Sequence, residues 1–227
     1  MTTYIEEIVK RAIDILRNER PIFHSEADFQ HSLAWKIKEL DNKFQIRLEK
    51  RIDIDNEKNY FDIIILSERE VCAIEVKYLT RKFNKREVNG EIFELQNHQA
   101  HNINRWRFCK DIERLEKFVL SNDKIYKGKQ KIGLAILLTN DKAYWDKSKR
   151  KNVSDIKFRL HEGQCLTGKL YWMKKISEKI KRRYKEIILK GKYEIGPNDW
   201  KEYSIIKDSD GEVHTFKYIM IKVSKEI

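Results

Sequence analysis

Asp62, in Tyr60-Phe61-Asp62-Ile63-Ile64-Ile65, and the triplet Glu75-Val76-Lys77 are the residues whose type and spacing could do chemistry. An acid-x-Lys triplet means little in a chain that is 37% charged, and it occurs four times, beginning at Asp41, Glu75, Asp155 and Asp199. Only the triplet at Glu75 lies within an apolar strand-like run that follows another such run carrying an acid. Strand alternation puts Val71, Ala73, Glu75 and Lys77 on one face. If the two runs pair as a hairpin, Asp62 at the start of the first comes alongside the end of the second. All three groups then converge at one sheet edge. Carboxylates buried there without partners would be costly, so a cation among them is the natural compensation. Carboxylate oxygens, a backbone carbonyl and waters suit a hard ion, Mg²⁺ or Mn²⁺.

The elements that must position these groups follow from hydrophobic periodicity. Residues 2–17 carry apolar positions at helical spacing, and Arg20-Pro21 ends that pattern. A second helix is expected over 25–40, with Ser25 as N-cap. Within it Leu33, Ile37 and Leu40 fall within about 40° of Glu26 around the axis. Glu26 therefore sits on the core-facing stripe, where it either borders the site or complements the helix dipole. Strands are expected near 44–52, 60–66 and 71–78, the last two as a hairpin, with 53–59 as a turn. A long helix is expected over 91–120, placing Phe108, Ile112, Leu115 and Val119 on one face. Extended backwards, that face passes through Arg105, His101 and His98, which suits either a polar cleft or a half that overhangs the core. The apolar run 131–139 reads as a buried strand. Beyond it the pattern predicts a hairpin of 157–161 and 166–172 around Glu162-Gly163. A basic segment with helical potential follows at 174–183, then strands at 186–189 and 216–223. The chain thus divides into a core of 1–140, with one extra N-terminal helix, and a mostly β extension of 141–227 packed against it.

Composition narrows the partners. The 227 residues include 48 Lys+Arg against 36 Asp+Glu, a net charge of +12. Residues 147–192 hold 16 Lys+Arg against four acids, so the whole surplus lies there and the remainder sums to zero. Such clustering is the footprint of a polyanion-binding surface, with Lys174, Lys175, Lys181, Arg182 and Arg183 at its densest stretch; a solvated or acid-binding face is the alternative. Tail aromatics such as Trp172 and Tyr203 are read as packing rather than as base-stacking platforms. Eight Gly and two Pro exclude collagenous or linker-rich organisation. No apolar run approaches the roughly 20 residues that cross a bilayer, and the N-terminus shows no signal-peptide pattern. Three scattered cysteines suggest reduced thiols and no disulfide framework. A cytoplasmic protein without membrane contact is expected.

With Asp62, Glu75-x-Lys77, Glu26 and the α-β-β-β-α-β order in place, residues 22–140 resemble the PD-(D/E)xK nuclease superfamily, whose core is the restriction-endonuclease-like fold. The residue before Asp62 is Phe61 where the family pattern has Pro. The resemblance implies an α/β fold with a mixed central sheet. It implies that Asp62, Glu75 and the Val76 carbonyl bind Mg²⁺ or Mn²⁺, with Glu26 adding a further metal or water contact. Lys77 would orient or activate the attacking water and offset charge on the phosphate, and Arg105 or His101 could reach a phosphate. The implied activity is metal-dependent hydrolysis of DNA phosphodiester bonds, in restriction, phage defence or repair. RNA is an alternative substrate and a homodimer is left open. The competing reading is a non-catalytic nucleic-acid-binding protein of the same fold.

Overall fold

The computed structural model describes residues 2–122, 126–148, 153–173 and 176–225. Two helices come first, α1 (Tyr4–Glu19) and α2 (Glu26–Leu40). Thr3 and Ser25 cap them, each accepting a backbone N–H with its side chain, as the sequence predicts for Ser25. Three antiparallel strands follow: β1 (Gln45–Ile54), β2 (Glu57–Leu66) and β3 (Glu70–Leu79). The expected turn at 53–59 shrinks to Asp55-Asn56, both at positive φ (51° and 63°), so both strands run closer to the tip.

The long helix expected over 91–120 is half right. A hairpin, β4 (Phe83–Val88) and β5 (Glu91–Leu95), takes its first part, and α3 runs only over His101–Leu120. Asn89-Gly90 explains the difference: both residues adopt positive φ (53° and 83°), the geometry of a two-residue hairpin turn. His98 therefore precedes the helix and does not lie on its face.

β6 (Gln130–Thr139) pairs in parallel with the full length of β3. The expected 157–161 strand is instead a single 3₁₀ turn at Ile156–Phe158. β7 (Cys165–Leu170) pairs across a long connection with β8 (Ile187–Glu194), and the short basic helix α4 (Glu178–Arg183) lies between them. β9 (Lys201–Lys207), which periodicity did not reveal, and β10 (Val213–Val223) complete the chain.

The central sheet has six strands in the order β1-β2-β3-β6-β10-β9, mixed through the one parallel pair β3–β6. The C-terminal part thus extends the same sheet. One face, through Ile63, Ile74, Val76 and Leu134, buries α1 and α2; the other, through Ile64, Ala73, Ala135 and Leu137, buries α3. The β7–β8 hairpin lies on α3, where the Glu116 carboxylate accepts the N–H groups of Lys190 and Gly191 and the Tyr193 hydroxyl. No helix among the described residues is long and apolar enough to cross a membrane.

Candidate functional site

The pairing of β2 with β3 stops at Ile63↔Ile74, while β2 continues along β1 and β3 continues along β6. The two strands part just where the candidate acids lie. The Val76 N–H, freed from the ladder, donates to Asp62 Oδ2 at 2.7 Å, so the carboxylate closes the fork that it occupies. Glu75 points towards α3 and is 1% exposed. Lys77, two residues on, shares that face.

Helix α2 approaches from the other side. Glu26 Oε2 accepts the Tyr78 N–H at 3.0 Å, and its Oε1 lies 3.5 Å from Lys77 Nζ. Glu26 thus lies beside the strand acids and is at the same time an acid in the first turn of α2. One turn further along α2, buried Gln30 donates through Nε2 to the Asp62 carbonyl at 2.7 Å and to Glu49 Oε1 at 2.8 Å. Glu49 adopts φ 49° opposite Asp62, where the β1–β2 register skips a pair. That is an unusual conformation for a residue other than glycine.

Helix α3 contributes two residues that the sequence reading did not single out. Arg114 grips Glu75 with both ends of its guanidinium: Nε lies 2.7 Å from Oε1 and Nη2 lies 2.6 Å from Oε2. Nη2 also lies 2.8 Å from Oδ1 of buried Asp111. Asp111 Oδ2 stands 3.5 Å from Lys77 Nζ, which itself donates to the Val76 carbonyl at 2.8 Å. A signal for Asp111 was present: Phe108, Leu115 and Phe118, at i−3, i+4 and i+7, are all core, so Asp111 is an acid in an apolar stripe, as Glu26 is.

Four carboxylates and two cations therefore meet at the strand fork. Burial, together with the nearby Asp111 and Asp62 charges, pushes the Glu75 carboxyl well above its ordinary range although Arg114 opposes this. Burial also raises Asp111, with Asp62 and Glu26 acting in the same direction against Lys77 and Arg114. For Lys77 burial works against the charge, but Asp111, Glu26, Asp62 and Glu75 outweigh it and raise the ammonium above its usual value. Counted as ionised groups, four carboxylates against Lys77 and Arg114 carry a formal charge of −2, which burial and repulsion among the acids disfavour. Asp62, Glu75, Glu26 and the Val76 carbonyl form an all-oxygen set of the type that Mg²⁺ or Mn²⁺ takes, although no three of the four carboxylates have ligand atoms within 4.8 Å of one another.

A cleft of about 600 Å³ opens over Glu26 and Lys77 and is walled by His98, Asn104 and Arg107. Two larger hollows, about 850 and 930 Å³, share Glu70 at the opposite end of β3. That is roughly 23 Å along the strand from Lys77. Neither is lined by Asp62, Glu75, Lys77 or Asp111, so size does not mark the chemistry here.

The other anticipated contacts lie apart from the cluster. Arg105 is 3% exposed, bound to Asp155 at 2.6 Å and to the Ala143 carbonyl at 2.5 Å. Its place on the inner stripe reflects that buried ion pair, and its one unpaired donor, Nε, is itself buried away from any phosphate. His101 Nε2 lies 2.6 Å from Asp141 Oδ2 beside a separate hollow. Lys181, Arg182 and Arg183 lie on α4, where Lys181 pairs with Glu178 at 2.9 Å. Lys174 and Lys175 lie outside the described residues. The α4 segment is fixed near the cleft wall: Trp106, next to Arg107, donates to the Lys185 carbonyl at 2.7 Å and packs edge-on against Tyr184.

Among the described residues, the one set of three metal-type ligands with donor atoms within 4.8 Å of one another is Asp208, Glu212 and His214. Asp208 there accepts the N–H groups of Asp210 and Glu212 and meets His214 at 3.2 Å, which accounts for it as a turn clasp and assigns no cofactor. Comparison of the chain with protein-family models, with curated proteins and with solved structures finds no match.

Proposed function

We propose that this protein is a divalent-cation-dependent nuclease that hydrolyses DNA phosphodiester bonds on a restriction-endonuclease-like core. The observation that carries this reading is the convergence of Glu26, Asp62, Glu75 and Asp111 on Lys77 where β2 and β3 part. Asp62, Glu75, Glu26 and the Val76 carbonyl would hold the cation, Mg²⁺ or Mn²⁺. When bound, it supplies Lewis-acid polarisation of the phosphate and a more acidic water.

The chain's own residues do the rest. In hydrolysis a water oxygen bonds to phosphorus, the bond to one ester oxygen breaks, the water loses a proton and the departing oxygen gains one. Lys77, kept charged by the acids around it, donates hydrogen bonds to the water or to the phosphate oxygens and offsets their charge. It acts as a donor and not as the base. A phosphate would enter by the cleft above Lys77, where Arg107 in the wall offers a contact. The basic segment around α4, anchored beside that wall through Trp106 and Tyr184, supplies sequence-independent grip on the backbone.

A second reading, a nucleic-acid-binding protein of this fold without catalysis, is favoured by one feature: Arg114 lies against both oxygens of Glu75 and is hydrogen-bonded to Oε1. Cleavage assays separate the two. With Mg²⁺ or Mn²⁺ the purified protein is expected to cut DNA, and Asp62→Asn and Lys77→Ala are expected to abolish cutting while remaining folded. Salt-sensitive DNA binding with no cutting under any of these conditions would select the second reading.

A further inference from the structure

Taking the carboxylate cluster as a divalent-cation site, which is the reading above, we infer that Arg114 is its internal counter-ion. Arg114 lies against both Glu75 oxygens, so a cation that takes Glu75 as a ligand must compete with it and shift it towards Asp111.

The contacts are those of a lock. Glu75 is almost fully buried, and its two oxygens meet Nε and Nη2 of one guanidinium at 2.7 and 2.6 Å. The Nε–H donates a charge-assisted hydrogen bond to Oε1, while Oε2 has the close charge contact with Nη2 but no hydrogen bond. The Val76 carbonyl is engaged in the same way by Lys77 Nζ at 2.8 Å. Two of the expected cation ligands are thus covered by the chain's own positive groups. Removing Arg114 from Glu75 without replacement would strand a buried carboxylate, so the exchange is one cation for another.

The structure also provides a place for the displaced group. Arg114 Nη2 already touches Asp111 Oδ1 at 2.8 Å, and Asp111 Oδ2 is buried with no hydrogen bond among the described residues. Asp111 therefore already shares Arg114 with Glu75 through Oδ1, while its Oδ2 faces Lys77. The Arg114 side chain is 29% exposed against 1% for Glu75, so the arginine is the partner that can swing without opening the core. Its guanidinium carbon lies 6.0 Å from the centre of the Phe61 ring, an apolar plate along which it can slide. Asp111 is a positioning residue in this scheme: it holds Lys77 from one oxygen and receives Arg114 on the other.

Manganese binding to the 227-residue chain, followed by electron paramagnetic resonance of free Mn²⁺ without nucleic acid, tests the lock directly. Arg114→Gln is expected to bind Mn²⁺ about tenfold more tightly than the unaltered protein, because the competing cation is gone. Arg114→Lys keeps the charge but loses the fork and is expected to fall between them. Circular dichroism checks folding, and Arg114→Lys decides the matter if Arg114→Gln does not fold. Affinity equal to or weaker than that of the unaltered protein in a folded Arg114 variant, with binding still abolished by Asp62→Asn, overturns the lock and leaves the cation site standing. Absence of Mn²⁺ binding in both the unaltered protein and the Arg114 variants overturns the cation-site reading itself, and the lock with it.

Discussion

At the scale of single residues, the site depends on acids placed where apolar side chains would otherwise go. Glu26 and Asp111 each interrupt a core-facing helical stripe, and each ends within 3.5 Å of Lys77. Glu26→Gln keeps an acceptor for the Tyr78 N–H and removes one charge. DNA cleavage should fall about tenfold or more with little change in melting temperature, measured on the same preparation. Glu26, Asp62, Glu75 and Lys77 were legible from strand alternation and helical angle alone. Arg114 was not, because an arginine near helix residues of mixed character looks solvated until its partner across the sheet is known. Arg105 misled for the complementary reason: its stripe position was read correctly, but Asp155, fifty residues away in sequence, claims it.

At the scale of elements, side chains on α3 fasten the layers around the site. The Glu116 carboxylate serves three donors of β8, at Lys190, Gly191 and Tyr193. Glu116→Ala leaves these donors without a partner in a buried setting and should cost about 3 kcal/mol in urea denaturation. On β6, a Cβ added to Gly133 would stand 2.9 Å from the Leu115 Cβ, so Gly133→Ala forces α3 off the sheet. A loss of about 1–3 kcal/mol is expected, read in the same assay. Glu6 on α1 shows a pH effect. Burial works against its ionisation, but Lys10 at 2.5 Å and Lys222 at 2.8 Å prevail and hold its carboxyl below the ordinary range. Its contribution is complete above the unfolded glutamate range and is lost as pH falls through the lowered value. Glu6→Gln should therefore flatten the acid side of the stability profile below about pH 5. The principal strands and α1 and α2 were legible because their periodicity is strong. The β4–β5 hairpin was hidden by a helical pattern that overran the Asn89-Gly90 turn. β7 was assigned the wrong partner because its mate, β8, lies beyond α4, a separation that local patterns do not encode.

At the scale of the whole molecule, charge and chemistry occupy different parts of one sheet-centred fold. The near-neutral part holds the acid cluster, and the surplus of +12 lies in 147–192. Within that stretch, the basic α4 and the segment after it are anchored to α3 beside the cleft. Reversing Lys181, Arg182 and Arg183 to Glu should weaken DNA binding across all sequences and reduce the slope of affinity against salt by about 3, as measured by fluorescence anisotropy over a salt series. Residues 141–227 are expected from sequence as a mostly β extension packed on the core; β10 and β9 continue the central sheet, while β7 and β8 of the basic stretch form a separate hairpin held on α3 by Glu116. The central claim is that the acids at the β2–β3 fork make a metal-dependent nuclease site. Its most direct test is cleavage of duplex and single-stranded DNA by the unaltered protein, Asp62→Asn and Lys77→Ala, each with Mg²⁺, with Mn²⁺ and with EDTA. Metal-dependent cutting that both substitutions abolish is the predicted result, and cutting that persists unchanged in both, or that no metal elicits from the unaltered protein, would contradict it.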